Sequence, residues 1–92
     1  MEIKIVDETK QYSNRTRSIH RVYRADHYAE FEAGKRVHFG SPEIPHLVTV
    51  AAISELPEGE GFYLEASGGM GARSRTYPTL EKAVAYLQGL KG

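Results

Sequence analysis

The chain has 92 residues, 40% of them apolar and 26% charged, with twelve basic residues against twelve acidic ones and no cysteine. That length allows one domain, residues 1–92, with one modest core, and this much apolar surface excludes a wholly disordered chain. The missing cysteines exclude disulfide frameworks and thiolate metal sites, and the neutral balance removes any bulk attraction to polyanions.

In chain order, Met1 to Asp7 alternates, with Met1, Ile3 and Ile5 on one side, and predicts a first strand. Its charges are unlike a signal peptide, and no run nears the roughly 20 apolar residues of a membrane span. With no disulfides to require an oxidising compartment, a cytoplasmic protein is expected. Thr9 to Asn14 is polar and reads as a turn. Arg17 to Arg24 predicts a second strand, with Arg17, Ile19, Arg21 and Tyr23 on one face and Ser18, His20, Val22 and Arg24 on the other. Two polar faces place such a strand at a sheet edge or rim, because a central strand would bury its arginines.

His27 to Glu32 fits either a helical turn or a short strand. The turn signal Ala33-Gly34-Lys35 favours a hairpin from Tyr28–Glu32 into Arg36–Phe39. Gly40 to Pro45, with two prolines, is a loop. His46 to Ser54 is the most apolar stretch and, being rich in β-branched residues, predicts a central strand. Pro57 to Gly61 is a turn, and Phe62 to Ala66 a strand with Phe62, Leu64 and Ala66 inward. Ser67 to Gly71 is the tip of a hairpin into a strand over Arg73–Tyr77.

Pro78-Thr79 starts a helix, with Thr79 as N-cap and Glu81 suited to the positive N-terminal end. Leu80, Ala83, Val84, Leu87 and Leu90 form one apolar stripe, with Tyr86, Glu81 and Lys82 off it. Gly89 and Gly92 are terminators. The expected fold class is α+β, an antiparallel twisted β-sheet with one C-terminal α-helix packed on a face.

Catalytic and metal patterns fail on spacing. Gly68-Gly69-Met70-Gly71 lacks the Lys-Ser/Thr and the helix of a phosphate loop. His20, His27, His38 and His46 include no helical i, i+4 pair and have no cysteine to assist. Ser18, His20 and Asp26 could supply a triad's residue types, but nothing indicates a pocket or oxyanion hole. Glu30 and Glu32, on one strand face, read as solvated charges. A non-enzyme without cofactor or metal is expected.

Charge is segregated along the chain. Thr9 to Ala25 holds five bases (Lys10, Arg15, Arg17, Arg21, Arg24) and no acid, while Pro42 to Gly71 holds five acids (Glu43, Glu55, Glu58, Glu60, Glu65) and no base. Arg15, Arg17 and Arg21 share parity on a strand, spaced ~7 Å per two residues, near the phosphate spacing of a nucleic-acid strand. Tyr12 and Tyr23 could add stacking. Arg24, Lys35, Arg36 and the pair Arg73 and Arg75 extend the candidate surface for a protein, a ribonucleoprotein or a nucleic acid. The same arginines also suit a charge-protected edge strand. Glu55, Glu58 and Glu60 around Pro57 could imitate phosphates toward a basic groove, or form a solvated loop.

In size, absence of cysteine, lone C-terminal helix and segregated charge, the chain resembles the phage anti-CRISPR proteins, in particular small inhibitors of type I Cas surveillance complexes. The resemblance implies a non-enzymatic inhibitor acting in the host cytoplasm, docked on the Cas backbone near the guide RNA or the DNA-entry path so as to block target DNA binding. The family has no common motif, so it assigns no residue. The segment Arg75-Thr-Tyr-Pro-Thr-Leu-Glu-Lys-Ala-Val-Ala-Tyr-Leu87 is similar to the strand-to-helix ending of many compact bacterial and phage domains. Within it, Thr79-Leu80-Glu81-Lys82-Ala83 also resembles the helix start of HicB-type antitoxins, which implies neutralisation of a small toxin. The departure is that the helix ends the chain, where such antitoxins carry a DNA-binding segment. Direct binding of single-stranded nucleic acid is the third expectation.

Overall fold

The computed structural model describes residues 1–12, 15–38, 42–67 and 71–90, with residues 10, 12 and 15–17 described by backbone alone. The elements run β1 (Ile3–Tyr12), β2 (Arg15–Arg24), α1 (Ala25–Glu32), β3 (Ala51–Glu55), β4 (Phe62–Ala66), β5 (Arg75–Tyr77) and α2 (Leu80–Gln88), with a 3-10 turn at Pro57–Gly59. The strands form one antiparallel sheet in chain order, β1-β2-β3-β4-β5. This is an α+β fold with the C-terminal helix on one sheet face.

Alternation decides which residues meet that helix. Val22, Ala51, Ile53 and Leu64 occupy one face in register, and Ala83 and Leu87 of α2 close over them. Ile53, Leu64, Leu87 and Val22 have no exposed surface. Ile3, Ile5, Phe62, Ala66, Tyr77, Leu80, Val84 and Leu90 pack around this centre. Each fully buried aliphatic chain contributes about 1.5–3 kcal/mol before entropy is charged against it. Thr79 caps α2 as the sequence predicts, its hydroxyl accepting the Lys82 N–H at 3.2 Å. Tyr86 lies off the stripe yet still packs on the core, and its hydroxyl accepts the Arg73 N–H at 2.8 Å. Gly89 is the C-cap, and Gly92 lies outside the described residues.

Five expectations need correction. Thr9 to Tyr12 is strand, because Thr9, Lys10, Gln11 and Tyr12 continue the register against Ser18, Arg17, Thr16 and Arg15. Cross-strand pairing carries this polar stretch where composition suggested a turn. The arginine-rich β2 is not an edge strand; Ile19–Val22 pairs with β3 as well as with β1. Arg21 is tolerated there because it faces away from α2 and donates to Glu8 Oε2 at 3.0 Å, with a third of its side chain exposed.

His27 to Glu32 belongs to a helix, and the expected hairpin into Arg36–Phe39 does not form among the described residues. Asp26 sits in the first turn, Tyr28 and Phe31 meet as an i, i+3 pair, and Gly34 leaves the helix at φ 79°. Beyond it, Val37 makes one parallel bridge to His46; Phe39 lies outside the described residues. Finally, the strand expected from His46 begins only at Ala51. Leu47 and Val50 are nevertheless buried, so the apolar run reports burial more faithfully than pairing. The last strand is also shorter than expected, starting at Arg75.

Candidate interaction surface

The long hairpin outruns the sheet that supports it. β1 and β2 pair from Ile3↔Arg24 to Tyr12↔Arg15, but β2 pairs with β3 only from Ile19↔Ser54 to Val22↔Ala51. Residues 9–12 and 15–18 therefore form a two-stranded arm reaching roughly 14 Å past the last β3 pair. The molecule measures 44 × 34 × 18 Å along its principal axes. The register sets Lys10 opposite Arg17 and Tyr12 opposite Arg15. These positions share parity with Glu8, Ile19 and Arg21, so they belong to the sheet face away from α2. Three basic positions and no acidic one occupy the arm.

The remaining predicted residues do not join it. Arg24 lies at the far end of β2, about 30 Å from the arm tip along the strand. It forms a two-bond ion pair with Asp26, at 3.1 and 3.2 Å. That hydrogen-bonded guanidinium, helped by the His27 N–H, holds the Asp26 carboxyl below its usual range. Arg36 donates to Glu30 Oε2 at 2.8 Å and to the His46 carbonyl at 3.1 Å, and Lys35 is exposed beside it.

Arg73 and Arg75 are exposed on and before β5, the opposite edge of the sheet, about 19 Å from β1 at four inter-strand spacings. Arg75 lies over the Tyr77 ring, 5.6 Å from its centroid. Tyr23 is only 6% exposed, with the Tyr28 ring at 5.4 Å and the His38 ring at 6.4 Å, so it is packed into the protein and does not offer a stacking face. Burial raises its hydroxyl pKa above 10.0, against the opposing field of Arg21.

Beside Tyr23 and His38 lies a feature that the sequence does not mark. An open groove of about 480 Å³ is lined by Glu8, Arg21, Tyr23, His38, Leu47, Val48 and Thr49. Val48 stands 64% exposed at its rim, between the buried Leu47 and Val50. Nothing in the sequence distinguishes the exposed Val48 from its buried neighbours in that apolar run, so the groove is not legible there.

No catalytic constellation assembles from the residues considered. His20 bonds to Asp7 through Nδ1, with the carboxylate 73% exposed. Asp26, the acid of the hypothetical triad, pairs with Arg24 instead. Glu30 and Glu32 lie on helix α1, two residues apart, where side chains diverge. Among the described residues no three His, Asp or Glu side chains gather as a metal site. Glu55, Glu58 and Glu60 are exposed around the 3-10 turn. Gly68 to Met70 lie outside the described residues, while the strands that flank them pair as a hairpin. No described helix is long and apolar enough to cross a membrane. Comparison with protein-family models, with curated proteins and with solved structures finds no match.

Proposed function

We propose that this protein works by binding, not catalysis, and that its contact surface is the basic β1–β2 arm, which engages a phosphate-bearing macromolecular partner. The observation that carries the reading is the mismatch between the ten-pair hairpin and its partial support by β3. A core needs no such extension, and the extension carries Lys10, Arg15 and Arg17 without an acid. A two-stranded ribbon is slim enough to enter a nucleic-acid groove or the cleft of a nucleoprotein. Arg21, Arg24 and Arg36 each have a carboxylate partner within the chain, so they contribute less net charge outward than the sequence suggested.

In its narrower form the protein is a phage-type inhibitor that docks on a type I CRISPR surveillance complex beside its nucleic-acid path. Size, absence of cysteine and segregated charge support this form. The lone helix of the resemblance is here two helices. The test is capture of purified type I surveillance complex by the tagged protein, repeated with Arg15→Glu/Arg17→Glu. Capture that the double reversal abolishes, with the circular dichroism spectrum unchanged, supports the narrower form; no capture by the unaltered protein removes it.

A further inference from the structure

β1 is the outer strand of the sheet, and its free edge has a definite phase. The Ala25 N–H donates to the Glu2 carbonyl at 3.1 Å, which makes Glu2 and Ala25 a hydrogen-bonded pair. Antiparallel ladders alternate, so Lys4, Val6 and Glu8 also turn their backbone groups toward β2. Ile3, Ile5, Asp7 and Thr9 turn theirs outward, and no backbone partner meets them among the described residues. Natural proteins defend so long an edge or use it.

We propose that the occupant of this edge is a second copy of the chain, paired antiparallel about a two-fold axis at Val6, so that the two sheets join into one of ten strands. Three features of β1 fit that register. Outward-facing residues meet outward-facing residues, Ile5 with Asp7 and Ile3 with Thr9, which supplies about eight inter-chain backbone hydrogen bonds. Val6 meets its own copy at a non-hydrogen-bonded position, where β-branched side chains approach most closely.

The charges also match. Lys4 falls opposite Glu8 and Glu2 opposite Lys10, each twice by symmetry. Sliding one strand by two residues brings either Asp7 against Asp7 with Lys4 against Lys10, or Glu2 against Glu8. Both alternatives set like charges directly opposite, which disfavours them. The edge charges thus select one register.

The present contacts leave room for this pairing. Glu8 uses Oε2 for Arg21 and keeps 39% of its side chain exposed, and a carboxylate accepts at both oxygens. Lys4 is exposed, its ammonium 5.6 Å from the centre of the Tyr28 ring. The arm beyond Thr9 takes no part in the dimer contact, apart from Lys10 at the rim. The dimer and the proposed arm thus share Thr9 and Lys10, while Arg15 and Arg17, on the inner strand, lie outside the seam.

Sedimentation equilibrium of the full chain, from micromolar to about 1 mM, tests it. The expected species is a dimer of twice 10.3 kDa. Lys4→Glu should raise the dissociation constant about tenfold, because two symmetry-related pairs become repulsive. Lys4→Glu/Glu8→Lys should restore part of the affinity by exchanging the signs, less the cost of losing the Glu8–Arg21 pair. Thr9→Pro deletes an outward N–H without touching the β2 ladder, and should give a folded monomer. A wild-type monomer throughout the range overturns the proposal. So does a dimer that ignores Thr9→Pro or Lys4→Glu.

Discussion

Gly61→Ala and Gly59→Ala make a matched pair whose difference the backbone dictates. Both glycines have positive φ, 112° and 72° respectively. A methyl group on Gly59 would meet nothing within 4 Å, whereas on Gly61 it would lie 2.5 Å from the Tyr77 carbonyl oxygen. That oxygen belongs to the paired backbone of β5 and cannot swing aside. The Gly61 carbonyl also accepts the Leu56 N–H at 2.8 Å, so the residue cannot drift without opening the turn into β4.

For Gly59→Ala, left-handed strain of about 1–2 kcal/mol is partly offset by the stiffer unfolded chain, leaving a loss of about 1 kcal/mol. Gly61→Ala adds a backbone clash to greater strain, for a loss of roughly 3–5 kcal/mol. A domain this size has roughly 5–14 kcal/mol in all, so the second variant should unfold at far lower urea. Urea titration followed by circular dichroism, at constant m value, measures both. Losses within about 0.5 kcal/mol of each other, below the resolution expected for distinct mechanisms, would refute the reasoning.

The other predictions concern the core, the cap and two titrations. Leu87→Ala, at a position with no exposure, should cost about 2–5 kcal/mol in the same assay. Thr79→Ala should cost ~0.5–2 kcal/mol, with amide exchange accelerated in the first turn of α2. Asp26 has a lowered pKa, so the stability it contributes is complete above the ordinary value of 3.8 and lost as pH falls through its lower folded value. A carboxyl shift titration by NMR should show a midpoint below 3.8. Tyr23 runs the opposite way: its raised pKa gives stability that is complete below 10.0 and lost as pH rises through the folded value. Ultraviolet titration of wild type against Tyr23→Phe should show the loss of one phenol transition lying above 10.0.

The C-terminal half of the fold was legible because local signals and tertiary demands agree there. The Leu80-to-Leu90 stripe, the Thr79 cap and the alternation of Phe62, Leu64 and Ala66 each have one physical solution. The N-terminal half misled where tertiary pairing overrode composition. Thr9 to Tyr12 is polar enough for a turn, yet it is held by residues 15–18 in a local hairpin pairing that composition does not reveal. Tyr28 and Phe31 suit a strand until Tyr23 and His38 supply a surface for a helical face. The candidate cations separate only once the fold is known. Arg21 and Arg36 find carboxylates that folding brings near and Arg24 finds one two residues on, while Lys10, Arg15 and Arg17 share an arm that only the register defines.

An NMR titration of the labelled protein with a short single-stranded oligonucleotide at low salt tests the central claim most directly. The account predicts shift changes concentrated at the backbone amides of residues 9–12 and 15–19. It also predicts an affinity that falls with salt at a log–log slope of about −2, from three phosphate contacts at ~0.7 each. No shift at low salt, or shifts centred on β5, α2 or the acidic turn at Pro57–Gly59, would contradict it.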